Sequence, residues 1–365
     1  MSYSYRAMAA ATVLSLAALA PTQQASAADM AAMPMKAKPI VDLPFFLVND
    51  NRVTYSYIFD GTDPGAFTVR PDGSINGKTA KSVYSFTHFD VWAYGTNFFT
   101  ISMFKSDHND PASPCTAPGV TITGGAADCA GATEIYGLIR STFGLNEIFS
   151  TKAFTYGYLR NVSLEIGADA NSENTFLAPA KRDVVAGLQF AFDLPYKGFL
   201  NVAPLYYKEI NHNAFIQCGL FGPGTAGVTC SSDGNTEYKG TWAVEVNYYM
   251  DLGFLPANMQ YFSLSGRAGW YGKKGNQNGS LGALAGGTET AVELNSEPIR
   301  LTMDVSKAIW GDKYSHNVDV WVAYRYWQNK FGLDHNAAPG VCTLAGRSTN
   351  TCTEESLYSG ITVKF

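Results

Sequence analysis

Nine ionisable or phenolic side chains stand out because each alternates with apolar neighbours: Tyr136, Arg140, Glu245, Arg267, Arg300, Asp304, Asp319, Arg325 and Lys364. Guanidiniums and carboxylates gathered on one face can hold a polar solute through charge-assisted hydrogen bonds. They can also pair with one another and stiffen the wall that carries them, and both readings stay open. If a turn at residues 311–312 centres a hairpin, Asp304 faces Asp319, while Arg300 and Arg325 sit near each other further along. Directly opposed like charges are destabilising unless a cation, a proton or an arginine separates them. A band of carboxylates below a band of guanidiniums would orient a dipolar or hydrogen-bonding solute. Around a turn near residues 255–257, Glu245 and Arg267 pair in the purely structural reading. Hydrolysis would need a histidine beside a serine nucleophile. The next same-face residue after His88 is Asp90, His316 lies by a turn, and His108, His212 and His335 fall in or beside loops. No Gly-rich phosphate loop followed by Lys-Ser or Lys-Thr occurs, so no nucleoside-triphosphate site is expected; catalytic residues, a metal and a cofactor are not expected either.

The elements that must position these residues are strands. Residues 52–59 place Val53, Tyr55, Tyr57 and Phe59 on one face and Thr54 and Ser56 on the other. The same period of two runs through residues 241–250, 318–327 and 357–365. About twelve such segments are found: 52–59, 81–93, 97–105, 134–145, 153–167, 182–193, 198–208, 238–250, 260–271, 292–308, 315–327 and 356–365. Short connections at 94–96, 194–197 and 311–314 alternate with long ones at 107–133, 209–237, 272–291 and 328–355. An even strand number with short turns on one side and long loops on the other is the pattern of a closed antiparallel transmembrane β-barrel, with periplasmic turns and extracellular loops. A soluble sandwich alternates too, but aromatics near strand ends and the terminal Phe365 favour interfacial girdles. Two features fit poorly. Pro204 and Pro298 fall inside strands and imply bulges or misplaced boundaries, and the face of 153–167 carries Arg160 toward lipid unless a bulge intervenes.

Composition and the N-terminus agree with this all-β reading. The 365 residues are 46% hydrophobic and 13% aromatic but only 16% charged, too apolar for disorder, and no run of about 18 apolar residues suggests a helical span. Residues 1–27 read as a secretory signal peptide with Arg6, an apolar stretch and the small residues Ala25-Ser26-Ala27; 28–50 form a lead and 51–365 the barrel. The net charge of −5 argues against a nucleic-acid partner. Cys115 with Cys129, Cys218 with Cys230, and Cys342 with Cys352 each fall within one long loop, which suggests three local disulfides among fifteen possible connectivities. Their spacings lack the close Cys-x-x-Cys pairs of a zinc site.

The stretch EIYGLIRSTFGLNEIFSTKAFTYGYLRNVSLEIGAD from Glu134 resembles the nucleoside-specific channel proteins of the bacterial outer membrane, the Tsx-like family. FTHFDVWAYG from Phe86 and VWVAYRYWQNKFG from Val320 look like that family's second and penultimate strands, and DLPFFLVNDNRVTYSY from Asp42 is similar to its N-terminal segment. The resemblance implies a monomeric twelve-stranded barrel in the outer-membrane lipid, with a narrow pore whose aromatics stack on bases and whose ionisable residues bond the sugar. Only the aromatic pair Phe45-Phe46 and Arg140 match its binding positions. The cysteine-bearing loops and the loop at 272–291 are not features of the family. The expected function is therefore a substrate-selective passive channel for small polar solutes, nucleosides first. A structural barrel, or a phage or colicin receptor, is the alternative, and an outer-membrane lipid hydrolase a further one.

Overall fold

The computed structural model describes residues 45–113, 116–117, 120–121, 131–175, 180–212, 236–274, 291–337 and 339–365. Twelve long strands run through them. They are β1 (Phe46–Thr62), β2 (Lys78–Trp92), β3 (Gly95–Lys105), β4 (Thr133–Gly144), β5 (Leu159–Glu173), β6 (Ala180–Leu194), β7 (Gly198–His212), β8 (Thr241–Asp251), β9 (Phe262–Tyr271), β10 (Glu293–Asp304), β11 (Val318–Gln328) and β12 (Thr353–Lys364). Each pairs antiparallel with the next, and β12 returns to β1 with Tyr55 opposite Ile361, so the sheet closes without a free edge. Two short helices, α1 (Leu145–Ile148) and α2 (Val305–Trp310), sit in turns. No helix among the described residues is long and apolar enough to cross a membrane.

Alternation decides which side chains face outward. Val53, Tyr55, Tyr84, Ile101, Ile139, Leu164, Val184, Trp242, Leu301, Val322 and Ile361 form an exposed apolar belt around the barrel. Such a surface would be untenable in water and marks a membrane-spanning barrel. Between these positions, buried polar residues such as Arg52, Ser56, Glu165, Asn201 and Thr302 face inward. At the short-turn end Phe45 stacks on Trp92 (6.0 Å between ring centroids), and Trp92 meets Tyr94 and Phe143 edge-on. These rings form an interfacial girdle of the kind that fixes a barrel at the lipid boundary.

Several boundaries differ from the sequence expectation. β1 begins at Phe46, so the barrel takes in the end of the 28–50 lead, while residues 1–27 lie outside the described residues. The segment expected at 153–167 is a strand only from Leu159. Phe154, Tyr156 and Tyr158 alternate but lie in the turn after α1, where Gly157 adopts φ +56°. The register between β5 and β6 shifts at Ala191/Phe192, where Leu159 and Asn161 flank an extra residue. That bulge turns Arg160 inward, 6% exposed, onto Asp193 at 2.9 Å. The segment expected at 292–308 ends at Asp304, because Asp304 accepts from the Lys307 backbone N–H and caps α2. Pro298 lies where the register shifts on both sides of β10, whereas Pro204 keeps register opposite Val244.

Two of the long connections pack on each other. Gly65 N–H donates to Thr351 Oγ1 at 3.1 Å, and Arg347 Nη1 donates to Gly73 O at 3.1 Å. Cys342 and Cys352 are bridged, with Cα atoms 5.4 Å apart. The other expected pairs, Cys115 with Cys129 and Cys218 with Cys230, lie outside the described residues.

Candidate functional site

Inside the long-loop end lies a vestibule of about 350 Å³, counted with its open mouth. Asp63 follows β1, Glu134 opens β4 and Glu173 closes β5, and one oxygen of each lies within 4.8 Å of the others. Glu134 and Glu173 are directly opposed across the β4–β5 pair. Cations answer them. Lys81 Nζ donates to both Asp63 oxygens at 2.9 Å, and Arg325 lies 2.6 Å from Glu354. Lys330 bonds Glu354 and donates to Thr62 O at 2.5 Å. Burial pulls the Lys330 ammonium below its ordinary range against the opposing pull of Glu354. Phe104, Trp327 and Phe331 complete the lining. The indole is held in place: Trp327 Nε1 donates to Glu293 Oε1 at 2.9 Å, and Lys330 Nζ lies 4.6 Å from the Trp327 ring centroid. Acids, cations and flat apolar faces thus meet in one lumenal space.

Deeper in the lumen Arg140 crosses from β4 to β8. Its Nε and Nη2 donate to the two Glu245 oxygens at 3.0 and 2.7 Å, and its Nη1 donates to Asp169 at 2.5 Å. Tyr136 Oη donates to Asp169 at 2.8 Å, Tyr271 Oη to Glu245 at 3.1 Å, and Glu165 lies 4.0 Å from the guanidinium. Gly167 stands opposite Arg140, and a Cβ there would meet Arg140 Cδ at 2.5 Å, so the missing side chain is what lets the arginine leave the wall. The bidentate fork fixes this crossing more tightly than an ammonium would.

The nine sequence-selected residues all face inward, but not all in one place. Glu245 binds Arg140 rather than Arg267, because Arg267 stands opposite Asn247 and is exposed to the lumen. Arg300 donates to Glu297 at 2.5 and 3.1 Å and lies 4.0 Å over Trp321, while Arg325 belongs to Glu354. No bare guanidinium band forms. Asp304 and Asp319 are directly opposed as expected, yet both are buried at the short-turn end, where Asp304 caps α2. Lys364 donates to Asp50 at 2.6 Å beside Arg52. Phe45 and Phe46 belong to the outer girdle rather than the lumen, because Trp92, on which Phe45 stacks, is on the outward face of β2. His88 is also outward, in contact with Asn51 at 2.8 Å and Asp90 at 3.1 Å.

The vestibule residues Asp63, Lys81, Glu134, Glu173, Lys330 and Glu354 were not among those selected from the sequence. A signal for two of them existed: folding β4 and β5 back about the turn at 145–158 sets Glu134 against Glu173, but a strand begun at 153 hides that match.

No protein-family model and no curated protein matches this sequence. Among solved structures, an outer-membrane channel from Pseudomonas putida aligns at 12% identity over 90% of this chain and 100% of its own, with a TM-score of 0.42. The translocator domain of the autotransporter NalP from Neisseria meningitidis aligns at 12% identity over 87% of this chain and 89% of its own, TM-score 0.37. LpxR from Salmonella typhimurium aligns at 10% identity over 86% of this chain and 100% of its own, TM-score 0.35. Likeness at these identities and scores carries no information about solute or activity.

Proposed function

We propose that the chain is a passive outer-membrane channel for small polar solutes, with its short turns in the periplasm and its long loops outside the cell. The observation that carries this reading is the vestibule, where the acids Asp63, Glu134 and Glu173, the cations Lys81, Arg325 and Lys330, and the rings of Trp327, Phe331 and Phe104 line one lumenal space. Opposed charges at a constriction orient a dipolar solute, and a fixed aromatic face stacks a flat one. Nucleosides combine a stacking base with a hydrogen-bonding sugar, which fits this lining and the sequence resemblance. The exposed Arg267 and partly exposed Arg300 continue a polar lumen below the vestibule, with the Arg140 crossing as its constriction. The packed loops at the outer end also offer a surface that a phage or colicin could engage while the channel works.

Planar-bilayer recording tests this. Adenosine or thymidine should lower ion conductance in a saturable way. Trp327→Leu should raise the half-blocking concentration roughly 5- to 150-fold, the range expected for losing one base-stacking contact of about 1–3 kcal/mol. Glu134→Gln combined with Glu173→Gln should shift ion selectivity toward anions while block persists. If no nucleoside or other small polar solute changes the conductance, the channel reading fails and a receptor or structural barrel takes its place.

A further inference from the structure

The turn between β10 and β11 gathers two carboxylates and an imidazole that the channel reading does not use. Asp304 and Asp319 are directly opposed. His316, held at φ +60° in the turn, places Nδ1 2.9 Å from Asp319 Oδ1 and 3.6 Å from Asp304 Oδ2. All three residues are buried, and one donor atom of each lies within 4.8 Å of the others. Donor atoms bound about 2.0–2.1 Å from a tetrahedral zinc ion stand roughly 3.3 Å apart, so the observed spacings lie on either side of that edge length.

A second observation points to a ligand. Asp319 is 1% exposed, and its Oδ2 has no hydrogen-bond partner among the described residues. A buried carboxylate oxygen left so is costly, and nature meets that cost with a proton, a donor or a metal. Asp304 differs. It accepts from Ser306 Oγ, Lys307 N–H, Ser315 Oγ and His316 N–H at 2.6–2.9 Å, which fixes its position. A cavity of about 230 Å³, counted with its mouth, reaches Asp304, Ser315 and His316 from the short-turn face and is also lined by Asp251.

We propose that Asp304, His316 and Asp319 form a binding site for a divalent cation of mixed nitrogen and oxygen preference, typified by Zn²⁺, which pins the β10–β11 turn. One imidazole and two carboxylates leave a fourth position for water from the cavity, and two negative charges balance the ion. The neutral imidazole is the form that coordinates a metal, and Nδ1 already stands beside both carboxylates. The metal takes Nδ1 in place of the proton shared with Asp319, and the ring proton moves to Nε2. The nearby Arg52 and Lys364 are engaged by Asp50, and Lys307 donates to Gln260 O at 2.6 Å.

The test uses the whole barrel in detergent micelles after chelator treatment, with folding verified by heat-modifiable gel migration. Titration calorimetry with Zn²⁺ should find one site, and Co²⁺ should give the visible absorption of a low-symmetry nitrogen and oxygen site. Asp319→Asn, which keeps an oxygen toward His316, should weaken binding about tenfold or more, and His316→Gln should abolish the Co²⁺ band. Glu134→Gln should leave both readouts unchanged, which separates this site from the vestibule. Wild-type binding below about a tenth of an equivalent overturns the proposal. So does Asp319→Asn titrating like wild type, or loss of binding in Glu134→Gln. If Asp319→Asn does not fold, His316→Gln decides: retention of the Co²⁺ band overturns the proposal and its loss supports it.

Discussion

At the scale of single residues the lumen is governed by Arg140. One guanidinium bonds both Glu245 and Asp169 and lies near Glu165, so its removal leaves several lumenal carboxylates without their cation at once. Arg140→Met should therefore cost about 3–5 kcal/mol, read as a lowered urea midpoint of the micelle-folded barrel. Arg140→Lys should recover only part of that, since an ammonium cannot form the two-pronged contact to Glu245. Glu245→Gln keeps hydrogen-bonding capacity but loosens the crossing, and should raise single-channel conductance. An unchanged conductance would show that the constriction lies elsewhere. That Arg140 faces inward was legible in the alternation of its strand. Its partner was not, because strand pairing constrains neighbours, whereas Glu245 lies four strands away across the lumen.

At the scale of elements, period two located the strands well wherever one face is apolar and the other polar. Val320, Val322 and Tyr324 point outward as read, and Asp319, Trp321 and Ala323 inward. Val322→Arg should cost about 2–4 kcal/mol if its position is near the bilayer midplane, measured as a shift in the unfolding midpoint in lipid vesicles. Ala243 shows that an inward position need not line open lumen. It is packed in a cluster with Val185, Leu205, Tyr207 and Tyr271, so an arginine there meets steric resistance instead of lumen water. The errors have local causes. Aromatic residues at an interface repeat like strand residues, which drew Phe154, Tyr156 and Tyr158 into β5; and nothing in a short apolar run separates the end of β10 from α2 except the cap at Asp304. The vestibule was hardest to read, since Asp63 and Lys330 lie in connections whose folding depends on contacts with each other's neighbourhoods.

At the scale of the whole molecule, the connections at the long-loop end behave as a second layer resting on the barrel. The Cys342–Cys352 bridge closes a loop spanning 10 positions, worth about 2–3 kcal/mol in the chain-entropy account. Replacing both cysteines with serine should increase protease cleavage between residues 334 and 351 while heat-modifiable migration persists. Loss of the folded band would instead make the bridge part of the barrel's own stability. The seam between β1 and β12 sets a different requirement. Eleven of the twelve strand pairings join consecutive strands, whereas the seam joins groups such as Thr54 and Thr362, whose hydroxyls meet at 2.9 Å across a separation of 308 residues. Hairpins can zip one after another, each at a small loop-closure cost, but this last pairing must bring the two ends of the sheet together. Folding should therefore pass through an open, curled sheet with two unsatisfied edges, and the rate of ring closure should respond to substitutions in β1 and β12 more than to those in any internal hairpin.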